Sequence, residues 1–294
     1  MEQVKSTPSF AGLPNISFEE AQVIIIPISY EVTTSYKKGT RDGPIAILNS
    51  SYNIELYDEE LDTIPAEIGI YTYPEPLLPI GDLKLPLECI KEIASKIIDS
   101  RKFPIFLGGE HTITRGILSA YIEKFFTDEL SVLHLDAHCD LREEYEGTSY
   151  HHACALRMVA EKLPLVQVGI RSLSKEEKEF INGKDNIKIF WNWEIKKNNN
   201  WIEEVITSLK DKVYITLDLD VFDPSIMPSV GTPEPGGLDW WDVLELLRKV
   251  FEKKKVLGID IVELSPIPGL VYPDYLVSRL IYKIVGYYQV FQKK

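Results

Sequence analysis

The chain has 294 residues, 45% of them hydrophobic and 26% charged, with a formal net charge of −13. That length and apolar content fit a globular protein with a large core, and no break in composition or long linker divides it, so one domain over residues 1–294 is expected. The negative balance argues against nucleic acid as a partner, because phosphate contacts need a basic face, and no apolar run reaches membrane-spanning length.

The cysteines are few and odd in number, Cys89, Cys139 and Cys154. This fits a reducing compartment without a disulfide framework. No basic stretch followed by an apolar core opens the chain, so no secretory signal is expected and the cytoplasm is the expected location.

Residues 1–20 are polar and contain proline, and read as a surface lead-in. Val23 to Ile28 is a continuous apolar run, a buried strand. The Gly, Ser and Thr of Thr33 to Gly43 mark a loop, and Pro44 suits the first turn of a helix carrying Ile45, Ile47 and Leu48. Ile68 to Tyr71 is a short strand, and Pro86 to Ser100 spaces its apolar residues as a helix. Pro104 to Leu107 is another strand, leading into Gly108-Gly109-Glu110-His111-Thr112 and a helix that begins near Ile113.

Further along, Leu130 to Leu133, Leu165 to Ile170, Asn186 to Phe190, Val213 to Leu217 and Val256 to Ile261 read as strands. Leu141 to His151 reads as a loop and Ala153 to Leu163 as a helix. Helical patterns also cover Lys175–Ile181, Trp201–Leu209, Trp240–Lys253 and Asp274–Phe291, with Trp240 and Trp241 as packing residues. Eight strands alternating with helices imply parallel pairing through right-handed crossovers. Ligands in such folds bind beyond the carboxyl ends of the strands.

Two strand ends carry the chemistry. His134-Leu135-Asp136-Ala137-His138-Cys139-Asp140 follows one apolar run, and Leu217-Asp218-Leu219-Asp220 ends another. If the first stretch stays extended, Asp136, His138 and Asp140 share one face, while Cys139 points away as a small buried hydrophobe. Carboxylates and imidazoles converging in a core are costly unless cations sit among them. With His111, the candidate ligands are two His and four Asp, and two divalent ions would balance four ionised carboxylates. The oxygen-rich set suits manganese, with iron, zinc, nickel and cobalt as alternatives. Two ions roughly 3.5–4 Å apart can bridge a water and deliver hydroxide near neutral pH. The competing reading is that these acids cap loops or hold one structural ion.

These residues resemble a known family. Gly108-Gly109-Glu110-His111, Asp136-Ala137-His138-Cys139-Asp140 and Asp218-Leu219-Asp220-Val221-Phe222-Asp223-Pro224 are similar to the three signatures of the ureohydrolases, the superfamily of arginase, agmatinase, guanidinobutyrase and formimidoylglutamase. The likeness extends to Thr34-Ser35-Tyr36 through Gly43-Pro44, to Thr232-Pro233-Glu234-Pro235-Gly236-Gly237 and to Val262-Glu263-Leu264-Ser265-Pro266, and it is strongest toward the agmatinase branch.

The resemblance implies a three-layer αβα sandwich with an eight-stranded, mainly parallel sheet, and two manganese ions per subunit held by His111, Asp136, His138, Asp140, Asp218 and Asp220. It implies a homo-oligomer, trimer or hexamer. It places the proton-shuttling His in His151-His152-Ala153, where His152 matches the family position and His151 replaces its usual Ser. Glu263 matches the substrate-binding Glu, and beyond it Pro266-Ile267-Pro268-Gly269 departs from the usual agmatinase pattern.

The implied reaction is hydrolysis of agmatine to putrescine and urea. Asp140 would orient the hydroxide, Glu263 would clamp the guanidinium and His152 would shuttle the proton. The alternatives are another guanidino substrate, such as guanidinobutyrate or arginine, and a catalytically silent metal-binding regulatory protein on the same fold. Leu141 to Tyr150 holds three Glu and no Asn, an acidic rim that repels the α-carboxylate of arginine, whereas Arg142 turned inward would favour guanidinobutyrate.

Overall fold

Every expected strand forms. In the computed structural model, which describes residues 7–14, 16–79, 81–125 and 127–293, the strands are β1 (Val23–Ile28), β2 (Ile70–Thr72), β3 (Phe103–Gly108), β4 (Leu130–Leu135), β5 (Leu165–Ile170), β6 (Ile187–Trp191), β7 (Lys212–Asp218) and β8 (Lys255–Val262). All their ladders are parallel, in the order β2-β1-β3-β8-β7-β4-β5-β6.

The helices are α1 (Gly43–Ser51), α2 (Leu85–Asp99), α3 (Ile113–Lys124), α4 (Arg157–Ala160), α5 (Lys175–Ile181), α6 (Asn192–Ile195), α7 (Trp201–Ser208), α8 (Trp240–Lys253) and α9 (Tyr272–Phe291). Strand side chains alternate between two apolar clusters. Ile25, Leu107, Leu133 and Ile215 join α1, α7, α8 and α9 on one face, whereas Ile24, Phe106, Val132 and Tyr214 join α2 and α3 on the other. Covered on both sides, the strands read as continuous apolar runs, and the result is the expected three-layer αβα sandwich.

Four expectations change. The lead-in is not all surface, because Phe10 is buried and its N–H donates to Thr72 Oγ1 at 2.9 Å; residues 1–6 of that stretch lie outside the described residues. The turn before β2 takes Pro65–Ile68 as a 3-10 helix, so the strand starts two residues later than Ile68. The long helix expected over Ala153 to Leu163 is a 3-10 turn at His152–Cys154 followed by the short α4. Its start is held to the preceding loop, with Arg142 N–H donating to Ala153 O and Leu156 N–H to Asp140 O, and Pro164 follows its end. Finally, Trp240 packs against the core but Trp241 is 70% exposed.

The strand order decides where chemistry gathers. β3, β8, β7 and β4 are neighbours at the centre of the sheet. Their carboxyl ends lead into the four segments that carry His111, Glu263, Asp218–Asp220 and Asp136–Asp140.

Candidate active site

His111 stands three residues beyond β3, fully buried. Its Nδ1 lies 3.2 Å from Asp136 Oδ2, 3.0 Å from Asp140 Oδ2 and 3.4 Å from Asp218 Oδ2. His138 Nδ1 lies 2.9 Å from Asp220 Oδ2 and 3.5 Å from Asp136 Oδ1. The six expected ligand residues therefore gather into two adjoining groups, and Asp136 gives one oxygen to each.

They do not gather in the expected way. β4 ends at Leu135, so Asp136, His138 and Asp140 lie on a loop and not on one face of an extended strand. Asp140 reaches the cluster because its backbone adopts φ +53°, a left-handed conformation that a residue with a Cβ rarely takes. The corresponding turn at β7 is self-capped, with Asp218 Oδ1 accepting the N–H of Asp220 at 2.9 Å, while Asp220 Oδ1 accepts from Ala137 N–H at 2.9 Å. Cys139 is buried among apolar side chains, as expected, and burial pushes its thiol pKa up.

The electrostatics favour a cation. Burial raises Asp218 well above the carboxylate range, and the charges of Asp220 and Asp136 add to the shift. Asp220 and Asp140 are raised for the same reasons, burial first and then Asp136. Asp136 is the exception: burial pushes it up, but His134, His111 and His138 outweigh that and hold it well below its usual value. Among the described residues no Lys or Arg pairs with these four carboxylates. His111 Nδ1 is buried and makes no hydrogen bond despite facing three carboxylates. A ring nitrogen so aimed, among hard oxygen donors, fits divalent metal ions.

His134, Gln167 and Arg171 escaped the sequence reasoning. His134 Nε2 lies 2.7 Å from Asp136 Oδ2, and Gln167 Nε2 donates to His134 Nδ1 at 2.8 Å. With Nδ1 accepting, His134 carries its proton on Nε2 and donates it to Asp136, so it orients that carboxylate and has no lone pair left for a metal. Its position near the end of β4, two residues before Asp136, was the available signal. Arg171 donates to the carbonyls of Gly169, Asp220, Val221, Phe222 and Glu234, and so holds the Asp220 turn. No local sequence signal marks that role.

Glu263, just past β8, also has a left-handed backbone, φ +69°, and is 6% exposed. Its Oε1 accepts the N–H of His111 at 2.7 Å, and burial raises its pKa well above the carboxylate range. His152 Nδ1 lies 3.9 Å from that oxygen, its Nε2 is 3.3 Å from Ser35 Oγ, and its N–H donates to Thr33 Oγ1 at 3.0 Å. Burial, reinforced by neighbouring imidazoles, lowers its pKa to about 3. His151 sits differently. Its Nδ1 accepts the N–H of Ala153, and its ring packs edge-on against Tyr145. On the loop beyond, Glu143, Glu144 and Glu146 are exposed and Arg142 lies over the Tyr145 ring at 4.8 Å. Glu234 comes within 3.8 Å of His138 Nε2.

A parallel αβα sandwich with two His–Asp groups and a buried Glu at its carboxyl edge defines a hydrolase of the ureohydrolase class. The model of the Arginase family matches residues 21–284, and the chain belongs to that family. It is 41% identical to the N(1)-aminopropylagmatine ureohydrolase of Synechocystis sp. over 95% of this chain and 92% of that protein. It is 37% identical to the agmatinase of Pyrococcus horikoshii over 86% and 87% of the two chains. The crystal structure of the agmatine ureohydrolase of Thermoplasma volcanium superposes with a TM-score of 0.86 at 30% identity, covering 97% of this chain and 95% of that one. The protein is an enzyme of the agmatinase-like ureohydrolase type.

Proposed function

We propose that this ureohydrolase removes urea from a guanidine that carries no carboxylate, N(1)-aminopropylagmatine in the first place and agmatine in the second. The observation that carries the reading is the buried carboxylate of Glu263 beside the His–Asp cluster, with His152 3.9 Å away. A carboxylate held out of water is costly until a cation meets it, and a planar guanidinium can do so through paired, charge-assisted hydrogen bonds. The acidic rim of Glu143, Glu144, Glu146 and Glu234 favours the ammonium groups at the far end of such a substrate. The aminopropyl form, with one more amine than agmatine, draws more from that rim. The names of the relatives from Synechocystis and Thermus thermophilus support it, whereas that from Pyrococcus horikoshii supports agmatine.

The cofactor in this reading is a pair of manganese ions on His111, Asp136, Asp140, Asp218, His138 and Asp220. When bound, such a pair would lower the pKa of a water and ready it to attack near neutral pH. The chain's own residues do the rest. Glu263 holds the guanidinium so that its carbon faces the attacking oxygen. Asp140 accepts a hydrogen bond from that oxygen and so orients it. His152, neutral before reaction, takes up a proton and passes it to the departing amine nitrogen, which otherwise leaves poorly. We place this activity in a single domain over residues 1–294, in a homo-oligomer, trimer or hexamer, of the cytoplasm.

Urea release with manganese on N(1)-aminopropylagmatine, agmatine, guanidinobutyrate and arginine tests the reading. Both amine-ended substrates should exceed arginine by at least about tenfold in kcat/KM, for which about 1.4 kcal/mol of differential binding suffices. A higher kcat/KM on agmatine than on its aminopropyl form would select the second reading. Equal rates on arginine, or a preference for guanidinobutyrate, would sink both while leaving the enzyme class intact.

A further inference from the structure

We infer that Asp260, through Thr216, is a positioning residue that sets the tautomer of His111 and thereby the metal affinity of one of the two ion sites. The inference rests on the two-ion reading above. Asp260 lies in β8, three residues before Glu263, and it is completely buried. The β7–β8 register sets Thr216 directly opposite Asp260, so the sheet itself builds the contact.

Three hydroxyl groups converge on this carboxylate. Thr216 Oγ1 donates to Asp260 Oδ1 at 2.6 Å, Thr114 Oγ1 donates to the same oxygen at 3.0 Å, and Tyr214 OH donates to Oδ2 at 2.8 Å. On its other side, Thr216 Oγ1 lies 2.8 Å from His111 Nε2. Thr114 Oγ1 is also 3.3 Å from Thr216 Oγ1.

Proton counting fixes the direction of the chain. A carboxylate only accepts, and a threonine hydroxyl has one proton to give. Thr216 gives its proton to Asp260, so toward His111 its oxygen can only accept. His111 must then carry its proton on Nε2. That leaves the lone pair on Nδ1, the atom that faces Asp136, Asp140 and Asp218 and makes no hydrogen bond. The buried network thus keeps the proton on Nε2 and makes Nδ1 the nitrogen that is freed for an ion. Were the chain reversed, Thr216 would donate to Nε2, the ring proton would move to Nδ1, and the imidazole would present N–H to a cation. Outer partners of this kind are worth on the order of 10–100-fold in metal affinity.

The test is equilibrium dialysis of the full chain against graded free manganese, with bound ions counted per chain. It compares wild type with Asp260→Asn, Thr216→Val, Thr216→Ser and Tyr214→Phe. Asp260→Asn keeps the shape of the side chain but can present an N–H to Thr216, which permits the reversed chain. Asp260→Asn and Thr216→Val should each weaken one of the two ions by on the order of 10–100-fold and leave the other within about threefold of wild type. Thr216→Ser, which retains the hydroxyl, should restore wild-type binding. Tyr214→Phe removes a donor to Asp260 outside the relay and should leave both affinities within about threefold, whatever it does to stability. Nitrogen-15 shifts of the His111 ring, followed in the metal-free protein to alkaline pH until the ring is neutral, should report the Nε2–H tautomer in wild type and its loss in Asp260→Asn.

Two wild-type affinities in Thr216→Val, equal weakening of both ions, or Thr216→Ser behaving as Thr216→Val would each overturn the relay. If Asp260→Asn fails to fold, the threonine pair decides. A wild-type chain that binds fewer than two ions would instead remove the two-ion reading beneath it.

Discussion

Two clusters of buried charge in this molecule are resolved in opposite ways. Under α9, Lys283 is 3% exposed and its Nζ lies 2.9 Å from Asp58 Oδ1 and 3.1 Å from Glu60 Oε2, with Tyr287 OH donating to Glu60. There the fold supplies its own cation. At the carboxyl edge of the sheet, four aspartates meet imidazoles and backbone N–H groups but, among the described residues, no Lys or Arg, and Glu263 is as deeply buried. The chain can neutralise an inward acid with a lysine and does so where nothing else is required. At the site no such lysine is found among the described residues, and in the proposed function ions and substrate balance the charge. Backbone strain does not divide the two clusters, since Asp62, close to Asp58 and Glu60 in the chain, sits at positive φ as Asp140 and Glu263 do.

Substitutions on each side should separate the two clusters. Asp220→Asn removes one negative group from the His138 side. It should cost one ion per chain and lower kcat/KM on the order of a thousandfold, because bound metals contribute several kcal/mol at ~1.4 kcal/mol per decade. Unchanged activity with two ions retained would strike Asp220 from the ligand set. Lys283→Met leaves Asp58 buried without its cation and should lower stability by about 3 kcal/mol in urea unfolding. The same variant should keep its ion count and kcat, and a lost ion would show that the clusters are not independent. His152→Ala should lower kcat on the order of a hundredfold with both ions bound, whereas His151→Ala should cost less than about tenfold. The reverse order of damage would exchange the roles of the two histidines.

The smallest effect expected is a pH trend in chelated protein. Burial lowers His111 and His138, but their carboxylate neighbours outweigh it and hold both well above the usual 6.5. Asp218 and Glu263, raised by burial, also keep protons more tightly when folded. Asp136, held low, is ionised in both states above pH 6.5 and adds no slope. The folded metal-free chain therefore holds more protons than the unfolded one. The stability that His111 and His138 contribute is fully present below the usual histidine value and is lost as pH rises through their elevated ones, by about 1.4 kcal/mol per pH unit for each extra proton held. Melting temperatures taken with chelator at rising pH above neutrality should decline, and with manganese that decline should vanish, since metal takes the place of those protons. A flat profile with chelator would mean that the cluster is not charged in the way described.

Much of this was legible in the sequence, and what was not has physical reasons. Apolar runs covered on both faces are the plainest signal a strand can give, so β1 and β5 were readable to the residue and the central strands to within two. That six candidate ligands gather was readable because acids and histidines follow strand ends. The path by which they meet was not. Strand alternation predicts a shared face for Asp136, His138 and Asp140, but the backbone leaves the strand at Leu135 and turns left-handed at Asp140, a tertiary constraint with no glycine to mark it. Asp260 and Thr216 were hidden because each sits inside an apolar strand and acquires its role only through the β7–β8 register. Arg171 was hidden because it binds carbonyls, which every residue has.

The central claim is that the carboxylates at the sheet edge are balanced by two ions that the reaction needs. Elemental analysis of the purified protein, paired with urea release before and after chelation, tests it most directly. Two divalent ions per active chain, with activity abolished by chelation and restored by manganese, is the predicted result. Full activity with one ion per chain, or activity that survives complete removal of metal, would contradict it.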